Sequence, residues 1–218
     1  MPPWQSILIG AAMGFVTRPA QQADVQLLQQ LAAESLHPWS APSLAWWKDI
    51  SSSGDDSDAH RRRICLVALD ESAANDVSGS AGLQHPIGVI AAREILDDEP
   101  PGPRLHVAML AVQHWYRRRG CARMLLRMLH RQALEWGLPC VSLYVRPDNA
   151  GAIHLYRDEG YDEQPMGVLK DYYCSHTDGN ERADALMLVR HVLPRGHEAW
   201  LVVYCLFGCC VLYPDLIH

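Results

Sequence analysis

A short basic turn between an extended segment and a helical one is the feature of this sequence best suited to chemistry. Three arginines, Arg117 to Arg119, precede Gly120, Cys121 and Ala122. Where such a turn opens a helix, the free N–H groups of the first helical turn and the helix dipole favour a bound anion. Glycine and alanine keep bulky side chains away from that anion, while the arginines add positive charge. The sequence therefore predicts an anion-binding site here.

The segments that flank this turn are predicted to be a strand and a helix. In the strand, Leu105, Val107, Met109 and Ala111 are expected on one face and the intervening residues on the other. Both faces are largely apolar, as in a strand covered on both sides. The helix is predicted from helical spacing, and Gly137 is typical of its end. Its apolar positions are Leu125, Met128, Leu129 and Trp136, opposite Arg123, Arg127 and Arg131.

The rest of the chain is patterned as one layered domain. We expect an α/β fold (α+β layered) with a mixed central sheet of about seven strands flanked by about four helices. The expected boundaries are an N-terminal extension over 1–13, the domain over 14–193 and an apolar tail over 194–218. The expected strands are 15–18, 64–69, 87–95, 105–112, 139–145, 161–173 and 185–192, and the other helices are 24–34, 40–50 and about 149–159.

Composition excludes several classes of function. The 218-residue chain carries a formal net charge of -6, which argues against general nucleic-acid binding. Seven cysteines without C-x-x-C spacing indicate neither a disulfide framework nor a zinc site, so no metal is expected. The N-terminus has no basic region before its apolar run, unlike a secretory signal. We expect a reducing compartment, in the cytoplasm or an organelle such as a plastid.

Two motifs resemble those of the GNAT-type N-acetyltransferases. The first is Arg117-x-x-Gly120-x-Ala122, which is similar to that family's acetyl-CoA pyrophosphate loop. The second runs from Asn149 through Tyr156 to Gly160-Tyr161 and resembles the family pattern N-x-x-A-x-x-x-Y-x-x-x-G-F/Y. The resemblance implies a GNAT-like fold that binds acetyl-CoA as cosubstrate. The residues expected to bind it are Leu110, Ala111, Val112, Arg117, Arg118, Gly120, Cys121, Ala122, Asn149 and Tyr156.

Three further segments resemble the RimI-like and eukaryotic N-terminal protein acetyltransferases. They are 37–40, 170–173 and 183–187. In that group the loops between the first helices and between the last strands close over the N-terminus of the substrate. The resemblance therefore implies that Trp39, Tyr172 and Tyr173 line a slot for a protein or peptide N-terminus. Simple packing of these aromatics at a rim is the alternative.

The resemblance also implies direct acetyl transfer in a ternary complex, without an enzyme nucleophile. Tyr156 matches the family tyrosine that hydrogen-bonds the coenzyme sulfur, and we expect it to act as the acid for the departing thiolate; packing on the sheet is the alternative. The base departs from the family, because its glutamate or histidine is replaced by Tyr144 and its tyrosine by His106. His106 is the candidate base, accepting the amine proton through water, with a structural role as the alternative; Tyr144 is expected to orient water or to line the slot. The strands that carry Val112 and Val145 are expected to splay apart and leave room for the pantetheine arm.

Two other functions fit the sequence: acetylation of a small-molecule amine or a lysine, and acyl-CoA binding by a regulatory module without turnover. The apolar run over 199–213 allows three interpretations. It is an element packed on the domain, a membrane-associated tail, or an extension from a misread gene end. At about fifteen residues it is shorter than the roughly 20 that a spanning helix needs.

Overall fold

The apolar strands of the sequence join in one mixed, seven-stranded sheet, seen in a computed structural model that describes residues 14–35, 62–70, 85–97, 102–174 and 182–193. Its strand order is β1-β2-β3-β4-β5-β7-β6. The strands are β1 (Phe15–Pro19), β2 (Arg63–Asp70), β3 (Gly88–Asp97), β4 (Gly102–Val112), β5 (Cys140–Val145), β6 (Asp162–Cys174) and β7 (Arg182–His191). The α-helices are α1 (Val25–Ser35), α2 (Cys121–Glu135) and α3 (Ala150–Asp158).

The helices cover both faces of the sheet. Neighbouring strands pair antiparallel except β4 and β5, which run parallel because α2 crosses between them. Helix α1 buries its apolar side against one face of β2, β3 and β4, whereas α2 and α3 pack on the opposite face. The predicted layered fold is thereby confirmed. Its expected helix over 40–50 lies outside the described residues.

Strand β4 contains a β-bulge that changes which side chains share a face. Val107 pairs with Ala92 and Met109 with Ala91, so Ala108 is an extra residue on β4. Leu105 and Val107 consequently pack on the α2 side of the sheet, whereas Met109 and Ala111 pack on the α1 side. The simple alternation expected over 105–112 is therefore wrong beyond Val107, because one extra residue reverses the facing of every side chain that follows.

Helix α2 begins and ends with a glycine in a left-handed conformation. Gly120 at its N-terminus has φ +87, and Gly137 just past its C-terminus has φ +69. The predicted apolar positions Leu125, Met128 and Leu129 are buried, as expected for the face that packs on the sheet. None of the helices in the described part of the chain is long and apolar enough to cross a membrane.

Gly88 offers a test of how closely α2 packs against β3. A Cβ atom at this position would lie 2.9 Å from Cys121 Sγ and 3.3 Å from Leu125 Cδ1. We expect Gly88→Ala to lower the free energy of unfolding by roughly 1–3 kcal/mol, the usual effect of overpacking a core. Chemical denaturation of the single variants and of the double variant with Cys121→Ala measures this. The double variant should recover most of the loss, and equal losses in both backgrounds would contradict the contact.

Candidate active site

Strands β4 and β5 form a fork at the centre of the sheet. Their paired residues are Leu105 with Val141, His106 with Ser142, and Val107 with Leu143, and no pair is found further along. The bulge at Ala108 follows the last of these pairs, and a bulge bends the strand that carries it. The expected splaying of the two strands is therefore confirmed. Beyond the last of these pairs, the backbone groups of β4 and β5 are not joined to each other in the ladder.

The basic turn lies at the open end of this fork. It follows β4 through a short 3-10 segment, His114–Tyr116, and leads into α2. Within the described ranges, the N–H groups of residues 118–123 have no backbone carbonyl partner, as is usual for the first turn of a helix. Arg118 at φ +63 and Gly120 at φ +87 are both left-handed. Such alternating conformations turn successive N–H groups toward one side and form a concave anion site.

The three arginines of the turn differ in what they contact. Arg117 donates through Nε to the carbonyl of Val112, 3.0 Å away, which ties the turn to the end of β4. The guanidinium of Arg119 lies over the ring of Tyr116 at 5.4 Å from its centroid. The side chains of Arg117, Arg118 and Arg119 are all exposed. The turn therefore offers both oriented N–H groups and positive charge, which suit a phosphate-bearing ligand.

Cys121 contributes to this region differently from its neighbours. Its side chain is buried against Gly88 and Leu125, so only its backbone N–H could reach a bound anion. Burial raises the pKa of the Cys121 thiol to about 12. Burial also raises the pKa of Cys65, on β2, to about 12. Both thiols are therefore protonated at neutral pH and are poor nucleophiles.

Tyr156 is supplied by α3, which begins at a capped N-terminus. Asn149 accepts a hydrogen bond from the N–H of Ala152 through Oδ1 at 3.1 Å, which is the usual contact of an N-cap asparagine. Two turns later Tyr156 is buried and meets Tyr161 edge to face, with ring centroids 5.7 Å apart. Burial and the neighbouring Tyr173 phenol raise the pKa of Tyr156 well above its usual value. Its hydroxyl is therefore a hydrogen-bond donor throughout the neutral range.

A row of aromatic rings begins at His106, the candidate base, and ends at Tyr173, whose phenol interacts electrostatically with that of Tyr156. His106 lies 4.9 Å from Tyr144 between ring centroids, and Tyr144 lies 4.8 Å from Tyr172. Tyr172 and Tyr173 are perpendicular at 5.0 Å. Burial, and secondarily Tyr172, raises the pKa of Tyr173 to about 12, and Tyr173 in turn acts on Tyr156. The fold thus brings together five residues that the sequence had singled out separately.

The two tyrosines of β6 are positioned by an irregular stretch of that strand. Asp171 is left-handed at φ +53, and the pairing with β7 jumps between Leu169 and Tyr173. Asp184 on β7 supports this kink by accepting hydrogen bonds from Lys170 Nζ at 2.6 Å and from the N–H of Asp171 at 3.1 Å. Tyr172 is left 46% exposed, accessible to a substrate. Trp39, the third residue expected to line the slot, lies outside the described residues.

Sequence reasoning missed two polar residues beneath this row. Arg104 and Ser142 are fully buried, and both approach His106 from neighbouring positions on β4 and β5. Arg104 Nε donates to Ser142 Oγ at 3.1 Å, and Ser142 Oγ lies 3.0 Å from His106 Nδ1. The only signal in the sequence was the presence of Arg104 and Ser142 in segments otherwise rich in apolar residues. Spacing alone could not pair residues 38 positions apart.

A buried polar network anchors the helix that carries Tyr156. His130 of α2 accepts a hydrogen bond at Nδ1 from Arg190 of β7 and donates from Nε2 to Tyr161, both at 2.9 Å. That assignment follows because arginine can only donate. Glu159, just after α3, forms a bidentate ion pair with Arg127 at 3.1 Å. These contacts join α2, α3 and β7 around the ring of Tyr161, against which Tyr156 packs.

This network makes stability depend on pH. Burial, followed by the charges of Arg190 and Arg127, lowers the pKa of His130 to about 3. As the pH falls below about 6.5, His130 therefore becomes protonated in the unfolded chain but stays neutral in the folded chain. The contribution of His130 to the free energy of unfolding is fully present above that pH and is lost as the pH drops toward 3. Between pH 7 and pH 5 we expect the free energy of unfolding of the native chain to fall by about 2 kcal/mol more than that of His130→Gln. Urea denaturation at the two pH values measures this difference.

The matched control for that comparison is His154→Gln. His154 is an exposed histidine on α3, so its replacement should leave the pH dependence of the native chain in place. An equal pH dependence in the native chain and in His130→Gln would show that His130 is not held neutral in the fold.

The fold and site together define a class of protein: a layered α/β domain with a forked sheet and an anion-binding turn. The acetyltransferase (GNAT) family model matches residues 27–161, more than half of the chain. The chain therefore belongs to the GNAT acetyltransferases, and we assign it as an N-acetyltransferase on that basis.

Known relatives agree with this assignment. The chain is 34% identical over 101 residues to ard1, the catalytic subunit of the N-terminal acetyltransferase A complex of Schizosaccharomyces pombe; the match covers 42% of this chain and 56% of ard1. The chain thus spans little more than half the length of that relative.

Solved structures share the fold at low sequence identity. NAA60 of Arabidopsis thaliana, solved with a bisubstrate analogue, superposes with a TM-score of 0.65 at 20% identity, covering 81% of this chain and 97% of NAA60. NAA60 has also been solved with acetyl-CoA, at a TM-score of 0.62, 19% identity, and 81% and 98% coverage. The ribosomal-protein-S18-alanine N-acetyltransferase of Escherichia coli gives 0.61 at 20% identity, covering 84% of this chain and 97% of that enzyme.

Proposed function

We propose that this chain transfers the acetyl group of acetyl-CoA to the α-amino group of a protein or peptide. The observation that carries the proposal is the row from His106 through Tyr144 and Tyr172 to Tyr173, which runs beside the fork and leads to Tyr156. Similar enzymes that act on N-termini support it, as do the NAA60 structures solved with a bisubstrate analogue and with acetyl-CoA.

The residues of the fork and turn fit acetyl-CoA as a cosubstrate. The N–H groups of residues 118–122 and the exposed arginines 117 and 118 would hold the pyrophosphate. The backbone of Leu110, Ala111 and Val112 pairs with β3 and has no register partner on β5, and its β5 side would receive the pantetheine arm. Asn149 serves this arrangement indirectly, because it caps the helix that presents Tyr156.

The acceptor would lie against the aromatic row. An α-amino group has a reference pKa of about 7.7–8.0, so an appreciable fraction is neutral near pH 7, unlike lysine at about 10.4. The neutral nitrogen attacks the thioester carbonyl carbon, the C–S bond breaks, and the amine proton is lost. His106, assisted by Tyr144, is the group we assign to receive that proton, directly or through water. Buried thiols of the described residues take no part in a covalent intermediate.

The role of Tyr156 follows from its raised pKa. A phenol that is a weaker acid than a thiol, whose reference pKa is about 8.5, does not transfer its proton completely to the departing thiolate. It stabilises the charge on sulfur by donating a hydrogen bond. We therefore expect Tyr156→Phe to lower kcat about 100-fold while leaving the affinity for acetyl-CoA nearly unchanged. Stopped-time assays with mass readout and calorimetric titration of acetyl-CoA separate these quantities.

The acceptor class is tested with a peptide library. The full chain and acetyl-CoA are incubated with peptides that have a free N-terminus and blocked lysines, and with peptides blocked in the converse way. We expect mass gain only in the first set. Acetylation of lysine or of a small amine, with every free N-terminus left unmodified, would replace this function by the corresponding alternative. Tight acetyl-CoA binding without any transfer would instead indicate a binding module.

The slot is tested at Tyr172. Because this ring is exposed beside Tyr144, we expect Tyr172→Ala to raise the KM for the peptide about tenfold and to leave the KM for acetyl-CoA unchanged. Val168→Ala is the matched control, since Val168 is similarly exposed on β6 before the kink. Equal effects of the two changes on the peptide KM would remove Tyr172 from the acceptor slot.

A further inference from the structure

Ser142 and Arg104 form, with His106, a buried hydrogen-bonded triad at the base of the fork. Each of the three residues is less than a tenth exposed, and Arg104 and Ser142 are entirely inaccessible to solvent. Ser142 lies directly opposite His106 in the pairing of β4 with β5, one position before the last pair. The triad is therefore located where the two strands are still held together and immediately before they separate.

The chemistry of the triad restricts the imidazole. A serine hydroxyl offers one donor and two acceptor lone pairs. One lone pair of Ser142 is used by Arg104 Nε at 3.1 Å, which leaves its hydrogen and the other lone pair for His106 Nδ1 at 3.0 Å. Nε2 can accept a proton only in the tautomer in which Nδ1 carries the ring hydrogen and donates it to Ser142 Oγ, which then accepts from both Arg104 and His106. Any contact between a ring nitrogen of His106 and an acceptor amine or water must then be made through Nε2.

A buried guanidinium makes this contact costly to lose. Arg104 carries a permanent charge in the interior, where an unmet donor costs more than it does in water. Rotation of Ser142 away from Arg104 would break the 3.1 Å hydrogen bond from Arg104 Nε, which holds the hydroxyl oxygen beside His106. The ring of Tyr144, 4.9 Å from that of His106, limits the imidazole from the other side.

We propose that Ser142, held by Arg104, is a positioning residue that fixes the ring of His106 with Nε2 as its working nitrogen. Neither Ser142 nor Arg104 touches substrate in this assignment; both act through His106. The inference rests on the proposed function only in calling His106 the proton acceptor, because the fixed ring is a property of the fold itself.

The first test reads the ring directly. The full chain is labelled with ¹⁵N-histidine, and the His106 signals are identified by their loss in His106→Gln. We expect the native chain to show one fixed tautomer with the ring hydrogen on a hydrogen-bonded Nδ1, and Ser142→Ala to show averaging between tautomers; a native ring hydrogen fixed on Nε2 would also contradict the proposal. Averaging already present in the native chain, or an unchanged spectrum in Ser142→Ala, would overturn the proposal. The measurement on the native chain decides the question even if Ser142→Ala does not fold.

The second test reads catalysis. We expect Ser142→Ala to lower kcat about 10- to 100-fold, with the KM for acetyl-CoA unchanged, because a misdirected group loses rate and not cosubstrate affinity. Ser142→Thr retains the hydroxyl and should keep kcat within about threefold of the native value. Equal losses in the two variants would mean that volume at this position matters and the hydroxyl does not, which would overturn the assignment.

The two tests separate this inference from the proposed function. If Ser142 fixes the ring of His106 but the protein acetylates no N-terminus, the positioning role holds and the proposed acceptor is wrong. If the protein acetylates peptide N-termini but Ser142→Ala changes neither the rate nor the His106 spectrum, the proposed acceptor holds and the positioning role is wrong.

Discussion

The site depends on one extra residue in a central strand. Ala108 bulges out of β4 just after the last residue that pairs with β5, and the two strands diverge from that point. The divergence leaves residues 110–112 of β4 with no register partner on β5, and the basic turn follows at the end of β4. The bulge also reverses the facing of the strand, so that Met109 and Ala111 pack under α1 while Leu105 and Val107 pack under α2. A regular strand would provide neither the gap nor this division of the core.

Both sides of the fork are held by polar groups buried in apolar surroundings. At its base, Arg104 and Ser142 support His106. Beyond it, His130, Arg190 and Glu159 hold the end of α3 and the ring of Tyr161, on which Tyr156 packs. Such networks are rigid when every member is satisfied, because breaking one contact leaves a buried group without a partner. Rigid support suits a site in which amine, thioester and hydrogen-bond donor must meet within a few tenths of an ångström.

The acceptor side of the site is built from a different kind of irregularity. The left-handed Asp171, supported by Asp184, turns the end of β6 so that Tyr172 and Tyr173 point toward Tyr144 and Tyr156. This wall combines apolar rings with hydroxyl groups, and the lysine and arginine side chains of the kink are paired with Asp184 and Asp171. The mixed character of this wall supports the proposed peptide acceptor over a highly charged metabolite.

The sequence alone determined the helices and strands and the motifs that begin or end them, because these depend on neighbouring residues. The helical periodicity of α2, the glycine at 137, the helix that contains Tyr156 and the turn from Arg117 to Ala122 are all recognised within a few positions of the chain. Tertiary structure decided what depends on residues far apart: the bulge at Ala108, the buried contact of Arg104 and Ser142 with His106, and the row that joins Tyr144 to Tyr172. No local pattern encodes these features, since a bulge is set by pairing with β3 and a buried polar contact by which strands become neighbours.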